Sequence, residues 1–240
     1  MARIFITGSS DGLGLLAAQQ LIQDGHQVFA HARISARAKD VEPKLKGVKA
    51  ILTADLSSTS DTIQLANSLN ELGKMDAIIH NAGVYTNSGE LMFQVNVLAP
   101  YILTALIEMP SRLVYISSNM HTGGKPFQYG VGLNTISYSD SKLHVTTLMK
   151  VVADRNPNVF VNAVDPGWVP TKMGGANAPD DLQKGYYTQV WLSVSQDQGA
   201  QVSGKCFHHK KQLPYHQAVN NSAFQRQLID ACESFTNVHL

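Results

Sequence analysis

Apolar residues fall in two rhythms along this chain. Compact runs at 3–7, 27–32, 50–53, 76–80, 112–117 and 160–164 are rich in Ile, Val and Phe. Short runs of that kind predict strands buried on both faces, as a parallel sheet requires. Between them the spacing changes to three and four. Leu13, Leu16, Ala17, Leu21 and Ile22 form one helical stripe, and Ile63, Leu65, Ala66, Leu69 and Leu72 form a second. Ser57, Ser58 and Ser60 precede the second stripe as N-cap candidates, since a serine oxygen can accept an unpaired N–H of the first turn. Leu143, Val145, Leu148, Val151 and Val152 predict a third helix. Strands alternating with helices imply a doubly wound parallel α/β sheet with right-handed crossovers, in a single domain over 1–240. Two stretches break the rhythm: 123–136 is glycine-rich, and 166–182 holds three prolines and three glycines. Both read as loops, and loops beyond the carboxyl ends of parallel strands are where such sheets place ligands.

Composition narrows the picture only a little. Apolar residues make up 44% and charged residues 15%, the balance of a folded globular chain. Nineteen basic against 18 acidic residues leave a net charge of +1, which gives no reason to expect nucleic acid or an anionic membrane as partner. Two cysteines, Cys206 and Cys232, are too few for a disulfide scaffold and read as reduced, buried thiols. The apolar run at the N-terminus is too short for a signal peptide, and no stretch approaches the roughly 20 apolar residues of a membrane span. The expected location is the cytoplasm.

The first strand runs into Thr7-Gly8-Ser9-Ser10-Asp11-Gly12-Leu13-Gly14 and then into the first apolar helix. Glycines there permit a tight turn and a close backbone approach, while the helix offers unpaired N–H groups and a positive dipole end. The turn predicts a dinucleotide pyrophosphate site built from Gly8, Ser10, Asp11, Gly12, Leu13 and Gly14. The second strand ends at Arg33, where a guanidinium suits a 2′-phosphate and a carboxylate would suit NAD; this favours NADP(H). Asp11 opposes an extra phosphate weakly. Asp55 and Leu56 follow the third strand; Asp55 reads equally as an acceptor for an adenine amino group or as a turn residue. Asn81-Ala82-Gly83 follows the fourth strand, a small-residue exit that suits either backbone contact with a cofactor or an ordinary turn.

Tyr138 and Lys142 sit four apart at the start of the third helix and face one side of it. An ammonium about 4 Å from a phenol, at an effective dielectric near 20, would stabilise the phenolate by up to roughly 4 kcal/mol. That would bring a tyrosine nearer to useful acid/base work. The order of motifs carries more than any one of them: TGxxxGxG, Asn-Ala-Gly, Ser117-Ser118 at the fifth strand end, YxxxK, then Pro166-Gly167. Across essentially the whole chain this set resembles the short-chain dehydrogenase/reductase family, and most closely its retinol-dehydrogenase-like branch.

The resemblance implies a Rossmann-type fold and hydride transfer between NADP(H) and a small carbonyl or alcohol. Ser118 would hold the substrate oxygen, with Ser117 the competing candidate; Tyr138 would be the acid/base and Lys142 would bind the cofactor ribose. Asn96 would hold a water in a proton relay, and Pro166, Gly167, Val169 and Thr171 would meet the nicotinamide. A homodimer or homotetramer is implied as well. His80 departs from the family asparagine, and the 81–96 connection is short. Phe127, Tyr129, Trp168, Met173, Tyr186 and Tyr187 suggest an apolar or aromatic substrate pocket. His121 reads as pocket mouth or loop packing, and His208-His209-Lys210-Lys211 as a surface strand end with no metal. A non-catalytic NADP(H)-binding regulator is the second reading, and a dehydratase or epimerase of the same fold the third.

Overall fold

The computed structural model describes residues 1–128, 130 and 132–240. Its eight strands form one sheet in the order β3-β2-β1-β4-β5-β6-β7-β8. The first six are β1 (Arg3–Ile6), β2 (Gln27–Ala32), β3 (Ala50–Thr53), β4 (Ala77–His80), β5 (Arg112–Ile116) and β6 (Phe160–Asp165), all parallel. They match the apolar runs to within a residue at each end. Burial explains why those runs do not alternate with polar residues. In β1, Phe5 packs on one face with Ile78 and Tyr115, while Ile4 and Ile6 pack on the other with Leu21 and Val28. Both faces are covered by helices, so both need apolar side chains.

One face carries α1 (Gly12–Gln23) and α7 (Leu182–Val194); the other carries α3 (Thr59–Glu71), α5 (Ala99–Leu106), α6 (Tyr138–Arg155) and α8 (Ser222–Thr236). A short α2 (Ser35–Val41) follows β2. Ser58 is the serine that caps α3, accepting from Asp61 N–H at 3.2 Å. The helix α4 (Gly89–Phe93) runs through a wider π turn, Gln94–Leu98, directly into α5. Its 18 residues, Gly89–Leu106, are long and apolar enough to cross a membrane, contrary to the reading of the sequence, but 72% of the run is buried inside the fold. The domain interior is therefore where its apolar surface goes.

Two edge strands lie beyond the predicted six, and the surface strand end expected at 208–211 is the turn that joins them. β7 (Lys205–His208) lies parallel to β6, and β8 (Lys211–Leu213) turns back antiparallel to β7. The two-residue turn between them, His209-Lys210, has φ of 48° and 66°. Both residues occupy the left-handed region that a tight hairpin turn demands and that glycine or asparagine ordinarily fills. Lys210 is held there, its ammonium 4.4 Å from the Tyr187 ring centre and its N–H donating to Thr188 Oγ1.

The edge of the sheet away from the strand carboxyl ends holds a buried cation. Arg112 opens β5 and donates to the carbonyls of Leu192 at 3.0 Å and Ser195 at 2.8 Å, which are otherwise unpaired at the end of α7. Its guanidinium also lies 5.2 Å from the Phe160 ring centre. An arginine at a helix C-terminus is favoured by the dipole, and its charge strengthens each bond. Arg112→Met is expected to cost about 2–4 kcal/mol, since the carbonyls lose their donors in a dry site. Denaturant melts of the two proteins measure this; a loss under about 0.5 kcal/mol would show that water replaces the cap.

Candidate active site

The order of strands reverses between β1 and β4: β2 lies on one side of β1 and β4 on the other. Chains leaving these two carboxyl ends diverge, and a cleft of about 1300 Å³ opens there. Its lining contains Gly8, Ser10, Asp11, Gly12 and Leu13 from the glycine turn, Arg33 after β2, and Asp55 and Leu56 after β3. Asn81, Ala82 and Gly83 after β4, Ser118 after β5, and Tyr138 and Lys142 on α6 line it too. Pro166, Gly167, Val169 and Thr171 after β6 close the far side. Gly14 and Asn96 stand behind this wall.

Glycine is required in the turn for two separate reasons. Gly8 has φ +64°, and a Cβ on it would meet Ala82 Cα at 2.9 Å. A Cβ on Gly14 would meet Asn81 Nδ2 at 2.3 Å and the Gly8 carbonyl at 2.5 Å. Asn81 uses that closeness, donating from Nδ2 to the carbonyls of Thr7 and Gly8. His31, buried in β2, completes the brace: its Nδ1 accepts the Gly8 N–H at 3.0 Å, and its Nε2–H donates to Ala54 O. Burial lowers the His31 pKa and keeps the ring neutral, as an acceptor must be.

Asp11 caps α1, accepting from Gly12 N–H. The sequence left its charge as an obstacle to an added phosphate, yet the structure pairs it twice. Lys172 donates to Asp11 Oδ2, and Arg37 on α2 reaches the same oxygen at 3.2 Å. The Lys172 hydrogen bond is the largest influence holding the Asp11 carboxyl below its usual range. Asp55 makes a turn of its own, Oδ1 accepting from Ser57 N–H and Oγ.

A capping box starts α6: Ser137 Oγ accepts from Asp140 N–H, and the Asp140 carboxylate accepts from Ser137 N–H. This fixes Tyr138 as the first helical residue and puts Lys142 one turn on. Lys142 is buried, with Nζ 2.8 Å from Ile116 O and 5.4 Å from the Tyr138 ring centre. The four-residue spacing predicts an ammonium that pulls the phenol pKa down. Burial instead pushes Tyr138 up to about 12, aided by the charges of Asp165 and Tyr85, and pushes Lys142 down to about 8. Desolvation disfavours both ionic forms and is the largest influence on each.

The two serines separate clearly. Ser117 is buried, its Oγ 2.7 Å from Thr146 Oγ1. Ser118 caps the turn Asn119–Gly123 at the cleft. His121 is loop packing rather than pocket mouth: its Nδ1–H donates to Ser118 O at 2.6 Å, and its Nε2 accepts from His216 N–H at 3.3 Å. Asn96 sits in the π turn, where the widened backbone directs its side chain at two neighbours. Its Oδ1 accepts Val84 N–H at 2.8 Å, and Nδ2 donates to Val84 O and Ser141 Oγ. It ties the Gly83 strand exit to α6 despite the short connection between them.

The aromatic residues divide. Trp168 and Met173 line the cleft, and so do Tyr85 and Met120, which the sequence did not single out. Tyr85 stacks at a tilt on Tyr138, ring centres 4.9 Å apart. Phe127 is no pocket residue; it lies in the core against Phe93 and His144. Tyr186, on α7, packs against the apolar cluster between that helix and the sheet, and Tyr187 carries Lys210, so neither lines the cleft. Tyr129 lies outside the described residues. His208 is no bare strand end: it lines the cleft with Nδ1 3.1 Å from Asp165 Oδ2.

Residues 2–182 match the family model described as short chain dehydrogenase. The chain belongs to that family. It is therefore an oxidoreductase by kinship. Over its full length it is 40% identical to "Short-chain dehydrogenase chyC" of Penicillium rubens, covering 99% of that protein. Among solved structures, an uncharacterized protein from Mycobacterium paratuberculosis superposes with a TM-score of 0.82 at 20% identity, covering 100% of this chain and 94% of that one. The Pseudomonas aeruginosa RhlG/NADP active-site complex superposes with a TM-score of 0.71 at 22% identity, over 86% of this short-chain dehydrogenase and 93% of that chain. Both structural likenesses are likenesses of fold.

Proposed function

We propose that this protein is an NADP(H)-dependent oxidoreductase that interconverts a carbonyl and an alcohol, with Tyr138 as its acid/base. The observation that carries the reading is one of place. Tyr138 and Lys142, one helical turn apart, share a cleft with a glycine cradle that admits no Cβ at Gly8 or Gly14. Gly8, Gly12 and the first turn of α1 would hold a pyrophosphate, Asn81–Gly83 and Lys142 the nicotinamide ribose, and Val169 and Thr171 the carboxamide. When bound, the cofactor supplies or accepts the hydride. Ser118 orients the substrate oxygen, and Tyr138 donates its proton to that oxygen in reduction or removes one in oxidation. Asn96 keeps Gly83 and α6 in register, on the path by which a water would return the proton.

Substrate character follows from the rim. Tyr85, Met120, Trp168 and Met173 are each at least half exposed and all face the cleft. Such exposed apolar side chains around one opening suit an apolar or aromatic body whose carbonyl reaches inward to Tyr138.

The preference for NADP(H) rests on Arg33, and is supported by the NADP held in the RhlG complex. Arg37 and Lys172 already neutralise Asp11, so its charge does not repel a 2′-phosphate. A charge-assisted bond contributes about 1.5–3 kcal/mol, and about 1.4 kcal/mol is tenfold in affinity. Arg33→Ala is expected to weaken NADPH binding about tenfold or more and to leave NADH nearly unchanged. Equal losses for both cofactors would make Arg33 structural. A panel of aromatic ketones and alcohols, run with both cofactors, tests the whole reading. Tight NADPH binding with no turnover of any carbonyl or alcohol would leave a binding protein instead.

A further inference from the structure

A buried charge in the cleft wall takes no part in the reaction as proposed. Asp165 ends β6, 5% exposed, and lines the same cleft as Tyr138 and Lys142. It is held at both oxygens. Oδ1 accepts the Gly167 N–H at 3.1 Å, and His208 Nδ1 lies 3.1 Å from Oδ2 and 3.2 Å from the Asp165 carbonyl. Strand register puts Asp165 directly beside His208. Beyond it the left-handed turn folds the His209 ring back onto His208, ring centres 3.7 Å apart. The imidazole of His208 is thus sandwiched between a carboxylate and a second ring. Two non-glycine residues in the left-handed region are strained, and such strain persists only where surrounding contacts impose it.

A fixed carboxylate in a poorly solvated wall favours the protonated forms of its neighbours. The groups that feel it are Tyr138 and Lys142 on α6, His121 in the turn after β5, Cys206 on β7 and His209 in the hairpin. Lys142 is the decisive one: its Nζ donates to the carbonyl of Ile116, which pairs with Val164, the residue next to Asp165, and both side chains line the same cleft. Burial drives Lys142 toward the neutral amine, and the Asp165 charge is the opposing influence. On Tyr138 the same charge acts with burial to keep the phenol proton.

We propose that Asp165, clamped by His208, is a positioning residue that keeps Lys142 an ammonium and Tyr138 a phenol, and so sets the upper pH limit of the site as a proton donor. The role rests on the acid/base reading of Tyr138 and Lys142. Reduction consumes one proton from Tyr138 for each hydride delivered, and a neutral Lys142 would leave the phenol without its cationic neighbour. His208 and the hairpin turn fix the direction of the carboxylate rather than carrying the proton.

The test titrates Lys142 directly. Protein labelled with 13C at lysine Cε gives a shift that follows each ammonium, and Lys142→Met assigns the relevant signal. The wild-type midpoint should lie near 8. Asp165→Asn retains an oxygen for Gly167 but removes the charge, and should lower that midpoint by roughly half a pH unit or more. Asp165→Glu should keep it close to wild type. The alkaline limb of carbonyl reduction should move down with the asparagine variant and stay with the glutamate. An unchanged or raised midpoint in Asp165→Asn overturns the proposal. So does a wild-type midpoint below about 7, an arm that needs no variant to fold. The acid/base reading fails separately: Tyr138→Phe with normal turnover would sink it and leave the lysine titration intact.

Discussion

Replacing Tyr138 by phenylalanine is expected to lower turnover by about 10² or more while leaving the fold and cofactor binding in place. Only the hydroxyl is lost. The ring keeps its contact with Tyr85 and its place at the head of α6, where the Ser137 capping box sets the first turn independently of it. The loss should appear in kcat more than in KM, because the proton is needed at the transition state rather than for binding. NADPH titration by fluorescence and steady-state kinetics on one verified substrate measure both quantities. A folded variant with near-normal kcat would remove Tyr138 from the mechanism.

Acid should unfold this protein steeply. His31, His80, His121 and His144 are all buried. Burial lowers each of their pKa values, His80 to about 3 and His144 to about 4. Their surroundings suit neutral rings: His31 Nδ1 and His121 Nε2 accept backbone N–H groups, and the buried Nδ1 atoms of His80 and His144 have no hydrogen-bond partner for an added proton. Unfolded, each would titrate near 6.5, so below that pH the unfolded chain binds more protons than the native one. Stability is therefore full above about 6.5 and falls as the pH drops. Each histidine adds up to about 1.4 kcal/mol per pH unit, and His80 and His144 alone give a loss on the order of 4 kcal/mol between pH 7 and 5, with His31 and His121 acting in the same direction. That is a large part of the stability of a typical domain. Urea melts at the two pH values measure it, and His80→Gln should flatten the slope by one histidine's share. Equal stability at pH 7 and 5 would mean that these rings take up protons while folded.

The six inner strands were legible because a sheet covered on both faces demands apolar residues at every position. β7 and β8 were not: Lys205, Lys211 and Gln212 are the polar residues of an edge, and no periodicity distinguishes them from a loop. The site was legible where one turn or one helix holds a whole motif, as at Gly8–Gly14 and Tyr138–Lys142. It was illegible where the partners are far apart in the chain. Asp165 meets His208 only because two strands lie side by side, and Lys172 meets Asp11 from 161 positions away in the chain. Phe127 misled for the same reason: Phe93, which it packs on, also meets Phe235 of α8, more than a hundred residues further on.

The ion cluster on Asp11 has a kinetic meaning. Lys172 belongs to the segment that follows β6, whereas Asp11 and Arg37 belong to the opposite bank of the cleft, so the cluster spans the entrance like a clasp. Its side chains are 41–76% exposed, and exposed pairs of this kind contribute only about 0–1 kcal/mol. A clasp that weak does not hold the entrance shut against thermal motion; it biases the segment toward closure and lets it open often. Added salt shortens the Debye length from about 10 Å at 0.1 M to about 3 Å at 1 M, and should loosen the clasp further. Dissociation of a bound dinucleotide is thus expected to quicken with ionic strength, while the proton transfer proposed for Tyr138 keeps its pace.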